Sequence, residues 1–500
     1  MITITVNGTE YRAEPGICLG AFAAEKAGVP MVCGGRGRCG KCKGTVKGDV
    51  SAVTERELEI LSPDEMDSGI RLLCRTYALG DCSVDIGSPL TSQIRSDGEL
   101  PDHEHAPAFR TYGAAIDLGT TTIAARLYYK DGTKVAERSL MNPQRSFGGD
   151  VVTRMESALS GNASALASSA RDAICTLLSE MASDAGIQTD MIDGAVITGN
   201  TVMLHLLTET DVRPLTHAPF EAERLFGETV SASDAGLSVL SPDTPVYLPP
   251  CVGAFVGADT VSSVAASGLT DKDGVFLLTD IGTNGETVLK HGSGLIACST
   301  AAGPAFEGAG ISMGMGGASG AIDRVNVLLD GSLDYHVIGE TKPAGICGSG
   351  LVDALAAMLD AGLMDETGFL NESPVHITPA VMITQKDVRA AQLAKSAIHA
   401  GIRTLLQTAG LECRDVDILY IAGGFGSYID IVNAGKIGLV PDELVQRVCV
   451  LGNAALTGAS LLLLSLPERK RFETESKRIG LVSLASNPVF TDEYMERMMF

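Results

Sequence analysis

The sequence predicts a multidomain chain, α+β at its start and α/β thereafter. A small strand-rich domain comes first and a larger domain of two similar lobes follows. Three observations predict this. Four cysteines, Cys33, Cys39, Cys42 and Cys74, crowd into the first 87 of 500 residues. From Tyr112 onward apolar strand-like runs alternate with helical segments. Two of those strands end in the same turn, once after Asp117 and again 163 residues later after Asp280.

The cysteines read C-x5-C-x2-C-x31-C, three in one glycine-rich loop and one distant. A 2Fe–2S cluster is held by four thiolates, and its loop must wrap closely with backbone N–H groups aimed at the sulfurs. Gly34, Gly35, Gly37 and Gly40 suit such a loop, because glycine tolerates positive φ and close backbone approach. The spacing resembles that of plant-type and adrenodoxin-type ferredoxins. Zinc is the other reading of Cys39-x2-Cys42, yet zinc sites usually pair two such knuckles and Cys33 and Cys74 form no second one. Around the loop, Met1 to Val6 alternates as an edge strand, Gly20 to Gly28 reads as a short helix, and Cys82 opens a closing strand. Cys18 and Cys82 fall outside the ligand pattern and read as small buried hydrophobes. Gly35-x4-Gly40-Lys41-Cys42 nearly spells a P-loop, but Cys42 stands where Ser or Thr would hold Mg2+.

Composition sets limits. Apolar residues make up 45% of the chain, which is ordinary for a globular protein. The formal charge of −23 argues against nucleic acid and anionic membranes as partners. The twelve cysteines form no secreted disulfide framework, and neither a signal segment nor a membrane span is legible, so a reducing cytoplasm is expected. An exposed low-potential cluster points further to an anaerobic setting. Residues 88–111, polar and punctuated by proline, read as a flexible linker with ends roughly 25–30 Å apart. His103 and His105 read as solvated linker residues.

The repeated turn suits a nucleotide. In Asp117-Leu-Gly119-Thr120-Thr121 and Asp280-Ile-Gly282-Thr283-Asn284, backbone N–H groups can cradle phosphate oxygens. The two aspartates would hold Mg2+ through waters, because magnesium dehydrates reluctantly. Ile418 to Ala422 is a strand running into Gly423, Gly424 and Phe425, where the backbone can pass beneath a nucleoside. Asn200, at the end of another strand, can approach a terminal phosphate or a water. Asn284, Glu286 and Glu307 are candidates for positioning water or meeting a partner. Gly452 to Ser460 is a small-residue helix suited to close packing and to a hinge. Gly348 opens a helix whose N-terminus is available to anions. Ile311 to Gly317 reads as a flexible glycine loop, and the terminal Met-Glu-Arg-Met-Met-Phe500 as a tail that docks on its own domain or meets a partner.

Phosphate turn 1, phosphate turn 2, the glycine turn and the small-residue helix, in this order, resemble the superfamily of acetate and sugar kinases, heat-shock chaperones and actin. Joined to the N-terminal cysteine loop, the whole resembles the reductive activators of corrinoid proteins, with Asp280 to Glu286 and Ala302 to Gly308 as the more specific motifs. The resemblance implies a β-grasp 2Fe–2S ferredoxin domain over 1–87 and a ribonuclease-H-like, actin-like ATPase domain over 112–500. Lobe 1 would span about 112–270, lobe 2 about 271–480, and the tail 481–500. Asp117 follows the linker at once, which favours a shorter branch associated with methyltransferase systems.

The implied activity is ATP-dependent transfer of one electron to an inactive Co(II) corrinoid protein, restoring Co(I). An external low-potential donor would recharge the cluster, and a homodimer through the ATPase domain is implied too. ATP would be needed because plant-type 2Fe–2S centres lie near about −400 mV, and each 100 mV uphill costs about 2.3 kcal/mol per electron. A redox-regulated small-molecule kinase and a nucleotide-gated passive electron carrier are the alternatives.

Overall fold

The computed structural model describes residues 1–27, 35, 37, 42–86, 99–328, 331–424 and 429–500. Cys33, Cys39, Phe425, residue 87 and residues 88–98 of the expected linker lie outside them. The chain divides into two compact units, residues 1–91 with 142–170, and 92–141 with 171–500.

In the first unit, β1 (Ile2–Val6) and β2 (Thr9–Ala13) form a hairpin through Asn7 and Gly8, both at positive φ, as a two-residue hairpin turn requires. β3 (Ile17–Cys18), β4 (Lys43–Val50), β5 (Ile70–Leu72) and β6 (Tyr77–Asp85) complete the sheet, in the order β2-β1-β6-β4-β5 with β3 also on β6. β1 is therefore an inner strand, not the expected edge; β2 takes the edge, its side chains largely exposed. Helix α1 (Leu19–Ala27) lies so close to the Cys74 backbone that a Cβ on Gly20 would sit 2.6 Å from the Cys74 Cα.

Two short helices follow, α2 (Glu55–Ile60) and α3 (Pro63–Asp67). Glu57 on α2 is fully buried, and Arg71 grips it with Nε–Oε1 at 2.8 Å and Nη2–Oε2 at 3.0 Å. Burial alone would raise the Glu57 carboxyl, but the Arg71 and Thr54 hydrogen bonds hold it below its ordinary value. This pair ties α2 to the strand that precedes Cys74. Residues 142–170 add α4 (Val151–Ser157) and the first part of α5 (Ala163–Asp184). Here the fully buried Arg154 donates to the Gly148 carbonyl at 3.0 Å and to Gln144 Oε1 at 3.4 Å.

The second unit holds two six-stranded sheets. The first comprises β7 (Tyr112–Leu118), β8 (Thr122–Tyr129), β9 (Lys134–Met141), β10 (Ile192–Gly199), β11 (Glu228–Ser231) and β12 (Pro245–Leu248). Its order is β11-β12-β10-β7-β8-β9. The second is built from β13 (Val275–Ile281), β14 (Gly285–His291) and β15 (Gly294–Thr300), with later strands to be named below. In each sheet the Asp-bearing strand, β7 or β13, leads by an antiparallel hairpin into its successor and pairs in parallel with a later strand. Both Asp strands are near-continuous apolar runs, as strands covered on both faces must be.

α6 (Thr201–Thr208) follows β10 and packs on it, and α7 (Ala258–Ser267) packs on β10 of the first sheet and β13 of the second. A small sheet of β16 (Ala321–Val327), β17 (Leu333–Val337) and β18 (Gly345–Ile346) precedes α8 (Gly348–Asp360). Ile311 to Gly317 is ordered against it, contrary to the flexible loop expected: Met315 N–H donates to the Ile346 carbonyl, and Ile346 N–H to that of Met313, both at 2.9 Å. After the hairpin β19 (Val375–Thr378) and β20 (Val381–Ile383), the long helix α9 (Gln385–Thr408) packs beneath β14 and β15.

β21 (Ile418–Ala422), β22 (Val448–Gly452) and β23 (Ile479–Leu481) finish the second sheet, whose order is β22-β21-β13-β14-β15-β23. The remaining helices are α10 (Ile431–Lys436), α11 (Ala454–Leu464), α12 (Leu466–Glu475) and α13 (Pro488–Glu496). The tail beyond α13 docks on its own unit. Lys395 on α9, fully buried, donates to the carbonyls of Arg497 at 2.6 Å and Met499 at 2.5 Å, and lies 4.8 Å from the Phe500 ring centre.

Two further expectations change. Residues 99–111, read as the end of a linker, are anchored: Phe109 is buried against Gly113 and Gly194, and Ala106 and Ala108 donate to the carbonyls of Leu464 and Leu463. His105 is exposed, as expected, and its Nε2 also meets the Lys130 carbonyl at 2.8 Å. Polarity and proline hid one buried aromatic among thirteen residues. The small-residue helix α11 also returns from the second sheet to pack on α7, β7 and β10 of the first.

Gly458 makes the α11–α7 crossing possible, since a Cβ there would fall 1.8 Å from the Ser262 carbonyl oxygen. Gly458→Ala is expected to cost about 2 kcal/mol through forced separation of the two helices, read as a lower denaturant midpoint at unchanged slope. An unchanged midpoint would show that the crossing yields without penalty.

Candidate functional site

β7 and β13 carry Asp117 and Asp280 at corresponding places, one residue before each strand ends. The turns that follow, 119–121 and 282–284, open onto one cleft of about 520 Å³. That volume falls within the range of small-molecule sites. Gly119, Thr120, Thr121, Gly282, Thr283, Asn284, Asn200, Glu286, Gly423 and Gly424 all line it with the two aspartates. The structure thus brings together every expected residue of the nucleotide site that it describes. The N-terminus of α8, at Gly348 and Ser349, also reaches the cleft.

Glycine is required at two of these places. A Cβ at Gly119 would approach the Thr122 carbonyl oxygen to 2.6 Å. Gly423 has φ +101°, and a Cβ there would lie 2.7 Å from Asp280 Oδ1. Gly119 lets its turn close tightly on Thr122, and Gly423 keeps its backbone close to the Asp280 carboxylate.

Asn200 caps α6: its Oδ1 accepts from Val202 N–H at 3.1 Å, and its Nδ2 donates to Glu286 Oε1 at 3.4 Å. Glu286 lies opposite Asp280 in the β13–β14 register. Two residues unmarked by the sequence reading join them. Asp259, in the first turn of α7, also lines the cleft, and Asn453, the N-cap of α11, donates from Nδ2 to Asp117 Oδ2 at 3.0 Å. Asp in a first turn and Asn at an N-cap are ordinary helix-start chemistry, so neither carried a distinguishing signal.

These acids repel one another. Burial, assisted by the Asp259 charge, pushes Asp117 up to about 7, although Asn453 opposes the shift. Burial and the charges of Asp259, Asp117 and Glu307 push Asp280 up to about 8. Asp259 rises to about 6 through burial, and Glu286 goes well above its ordinary value through burial and the Asp259 and Asp280 charges. Such a cluster fits a divalent cation, which would relieve the repulsion. Among the described residues no three His, Cys, Asp or Glu side chains form a direct metal-binding group. A hold through water is the arrangement that suits magnesium.

In the first unit, Cys42 and Cys74 are buried, and the Leu73 N–H donates to the Cys42 carbonyl at 2.9 Å, drawing the two segments together. Gly35 and Gly37, at φ 76° and 66°, give the loop its left-handed turns. A thiolate donor set on such a loop fits an iron–sulfur cluster. Cys82 is unlike these: burial and the Asp81 and Asp49 charges push its thiol up, away from the thiolate form a ligand needs.

Residues 3–79 match the family described as 2Fe-2S iron-sulfur cluster binding domain. Residues 112–272 match the RACo middle region, and 274–500 the C-terminal domain of RACo, the ASKHA domain. The corrinoid activation enzyme RamQ of Eubacterium limosum is 36% identical over 420 residues, spanning 78% of this chain and 70% of that protein. The chain belongs to the corrinoid activation enzyme family. A second relative in that family, the [Co(II) methylated amine-specific corrinoid protein] reductase of Methanosarcina barkeri, is 28% identical over 77% of this chain and 76% of its own. A solved reductive activator for corrinoid, iron–sulfur protein superposes with a TM-score of 0.74 at 28% identity, covering 100% of this chain and 98% of that one. The family's two-part plan, an iron–sulfur domain ahead of an actin-like ATPase fold, is the plan expected from the sequence. No helix among the described residues is long and apolar enough to cross a membrane.

The carboxylate cluster sets a pH dependence. Asp117 and Asp280 bind protons more tightly folded than unfolded, so the stability they favour is complete below about pH 4 and is lost as pH rises through about 7 and 8. In chelator the thermal midpoint is expected to fall from pH 5.5 to 8.5, and Asp280→Asn to flatten the upper part of that fall. An identical slope in the variant would remove Asp280 as its source.

Proposed function

We propose that this chain is an ATP-dependent reductive activator that passes one electron to a Co(II) corrinoid protein and so restores the Co(I) form used in methyl transfer. The observation that carries this reading is similarity, over 78% and 77% of the chain, to proteins named for corrinoid activation and Co(II) corrinoid reduction. That similarity is accompanied by the cysteine loop and by the acid-lined cleft.

Cys33, Cys39, Cys42 and Cys74 would hold the 2Fe–2S centre, which supplies electrons singly when bound. Asp117 and Asp280 would hold Mg2+ through waters. The N–H groups of 119–121 and 282–284 would cradle phosphate, and Gly423 to Phe425 would underlie the nucleoside. Asn200 orients Glu286, whose carboxyl is raised by burial and by the Asp259 and Asp280 charges; a bound cation would offset those charges and leave a carboxylate able to draw a proton from an attacking water. Binding energy at the two turns would close the lobes, and coupling follows if the corrinoid partner prefers one closure state. An external low-potential donor would recharge the centre in a reducing cytoplasm, and pairing of two copies through the ATPase part is expected from the resemblance.

The test is anaerobic spectroscopy of a Co(II) corrinoid protein mixed with the reduced protein. The Co(I) band is expected only with Mg–ATP; its absence with every corrinoid partner tried would refute the reading. Cys74→Ala should abolish reduction and keep nucleotide binding. Asp280→Ala should keep the cluster's colour and lower ATP hydrolysis at least about a hundredfold, the usual scale for removing one catalytic electrostatic group. Full turnover in Asp280→Ala would take that residue out of the site.

A further inference from the structure

Glu307 ends the short turn Pro304–Glu307, and its carboxylate bridges the two phosphate turns. Oε2 accepts a hydrogen bond from the Thr121 hydroxyl at 2.8 Å and another from the Thr283 hydroxyl. Thr121 belongs to the turn after β7 and Thr283 to the turn after β13, so one oxygen atom joins the two duplicated halves. Oε1 lies over Gly282, where a Cβ would stand 3.5 Å away.

A threonine hydroxyl has one hydrogen to give. While Thr121 and Thr283 donate to Glu307 they cannot donate to a phosphate oxygen. Both acceptors are anions, so they also repel each other at close range. We propose that Glu307 is a carboxylate latch that competes with the terminal phosphates of bound nucleotide for the Thr121 and Thr283 hydroxyls and must release them before a triphosphate seats fully. This inference rests on the nucleotide reading above and adds a positioning residue to it.

The surroundings pass such a release outward. Glu307 is followed by Gly308 at φ +79°, where a Cβ would lie 2.5 Å from the Met315 carbonyl oxygen. Met315 N–H in turn bonds the Ile346 carbonyl of β18 at 2.9 Å. Met315, Arg324 and His336 form one wall of the cleft. Movement of Glu307 away from the threonines would press on the Met313–Met315 segment, which is bridged to β18. The latch reads phosphate-chain length: a triphosphate displaces it, and a nucleotide too short to reach the threonines leaves it shut.

The test is equilibrium binding of Mg–AMP-PNP and of AMP to the full-length protein, to Glu307→Gln and to Glu307→Ala. The first substitution keeps size and removes charge; the second removes the acceptor altogether. Both variants should bind AMP-PNP at least about fivefold more tightly than the wild type, the scale of one hydrogen bond's net contribution, with AMP affinity unchanged. Equal or weaker AMP-PNP binding by the variants, or an equal gain for AMP, would overturn the latch while leaving the nucleotide reading in place. If wild type and both variants bind neither compound, the nucleotide reading falls and the latch with it.

Discussion

Repulsion among carboxylates organises the cleft. Asp117 and Asp280 reach it because each sits one residue before the end of a buried strand, where burial and the Asp259 charge raise both, with Asp117 and Glu307 adding to the shift at Asp280. Buried like charges cost free energy unless something neutralises them, and the donors that reach Asp117 and Glu286, Asn453 and Asn200, are neutral. The architecture holds this unfavourable constellation rigid by building each acid onto a strand end or a helix start. A cation-bound polyphosphate, the ligand proposed for this cleft, would repair the imbalance and stabilise the protein.

Rigidity comes from small residues. Gly458 lets α11 meet α7 with backbone nearly against backbone, so the helix starts bearing Asn453 and Asp259 are fixed together beside the acids. Gly285 lies against Ile398 of α9, a Cβ there coming within 3.0 Å, and Gly401 packs its backbone near Thr300. Beneath the second phosphate turn there is therefore a helix that cannot recede. The tail anchored on Lys395, Ser396 and Gln392 fastens that same helix from its far side. Nucleotide contacts at Thr283, as proposed above, would reach elements remote from the cleft through this packing.

Much of the site was legible because its residues recur in register. The Asp-x-Gly-Thr turn appears twice, each after an apolar run, and a repeated strand–turn–strand pattern can fold in few ways. Asp259, Asn453 and the bridging role of Glu307 were not legible in the same way. Their significance comes from neighbours 142, 336 and 186 positions away, namely Asp117 for the first two and Thr121 for the third. The anchoring of residues 99–111 was hidden for a related reason: a single Phe109 among polar residues has no periodicity to detect, yet two glycines on separate strands leave it a slot.

The sequence by itself determined the chemistry: four cysteines at iron–sulfur spacing, two acid-bearing turns, and the glycines that let backbone approach a ligand. Those are local properties, set by residue type and by spacing along one segment. Only the tertiary structure decided which acids share a cleft, which hydroxyls share one carboxylate oxygen, and that the Met-rich segment is bridged to β18 and not a loose loop. Electrostatic repulsion and hydrogen-bond competition depend on distance in space, and distance in space is set by how β7, β13, α7 and α11 pack.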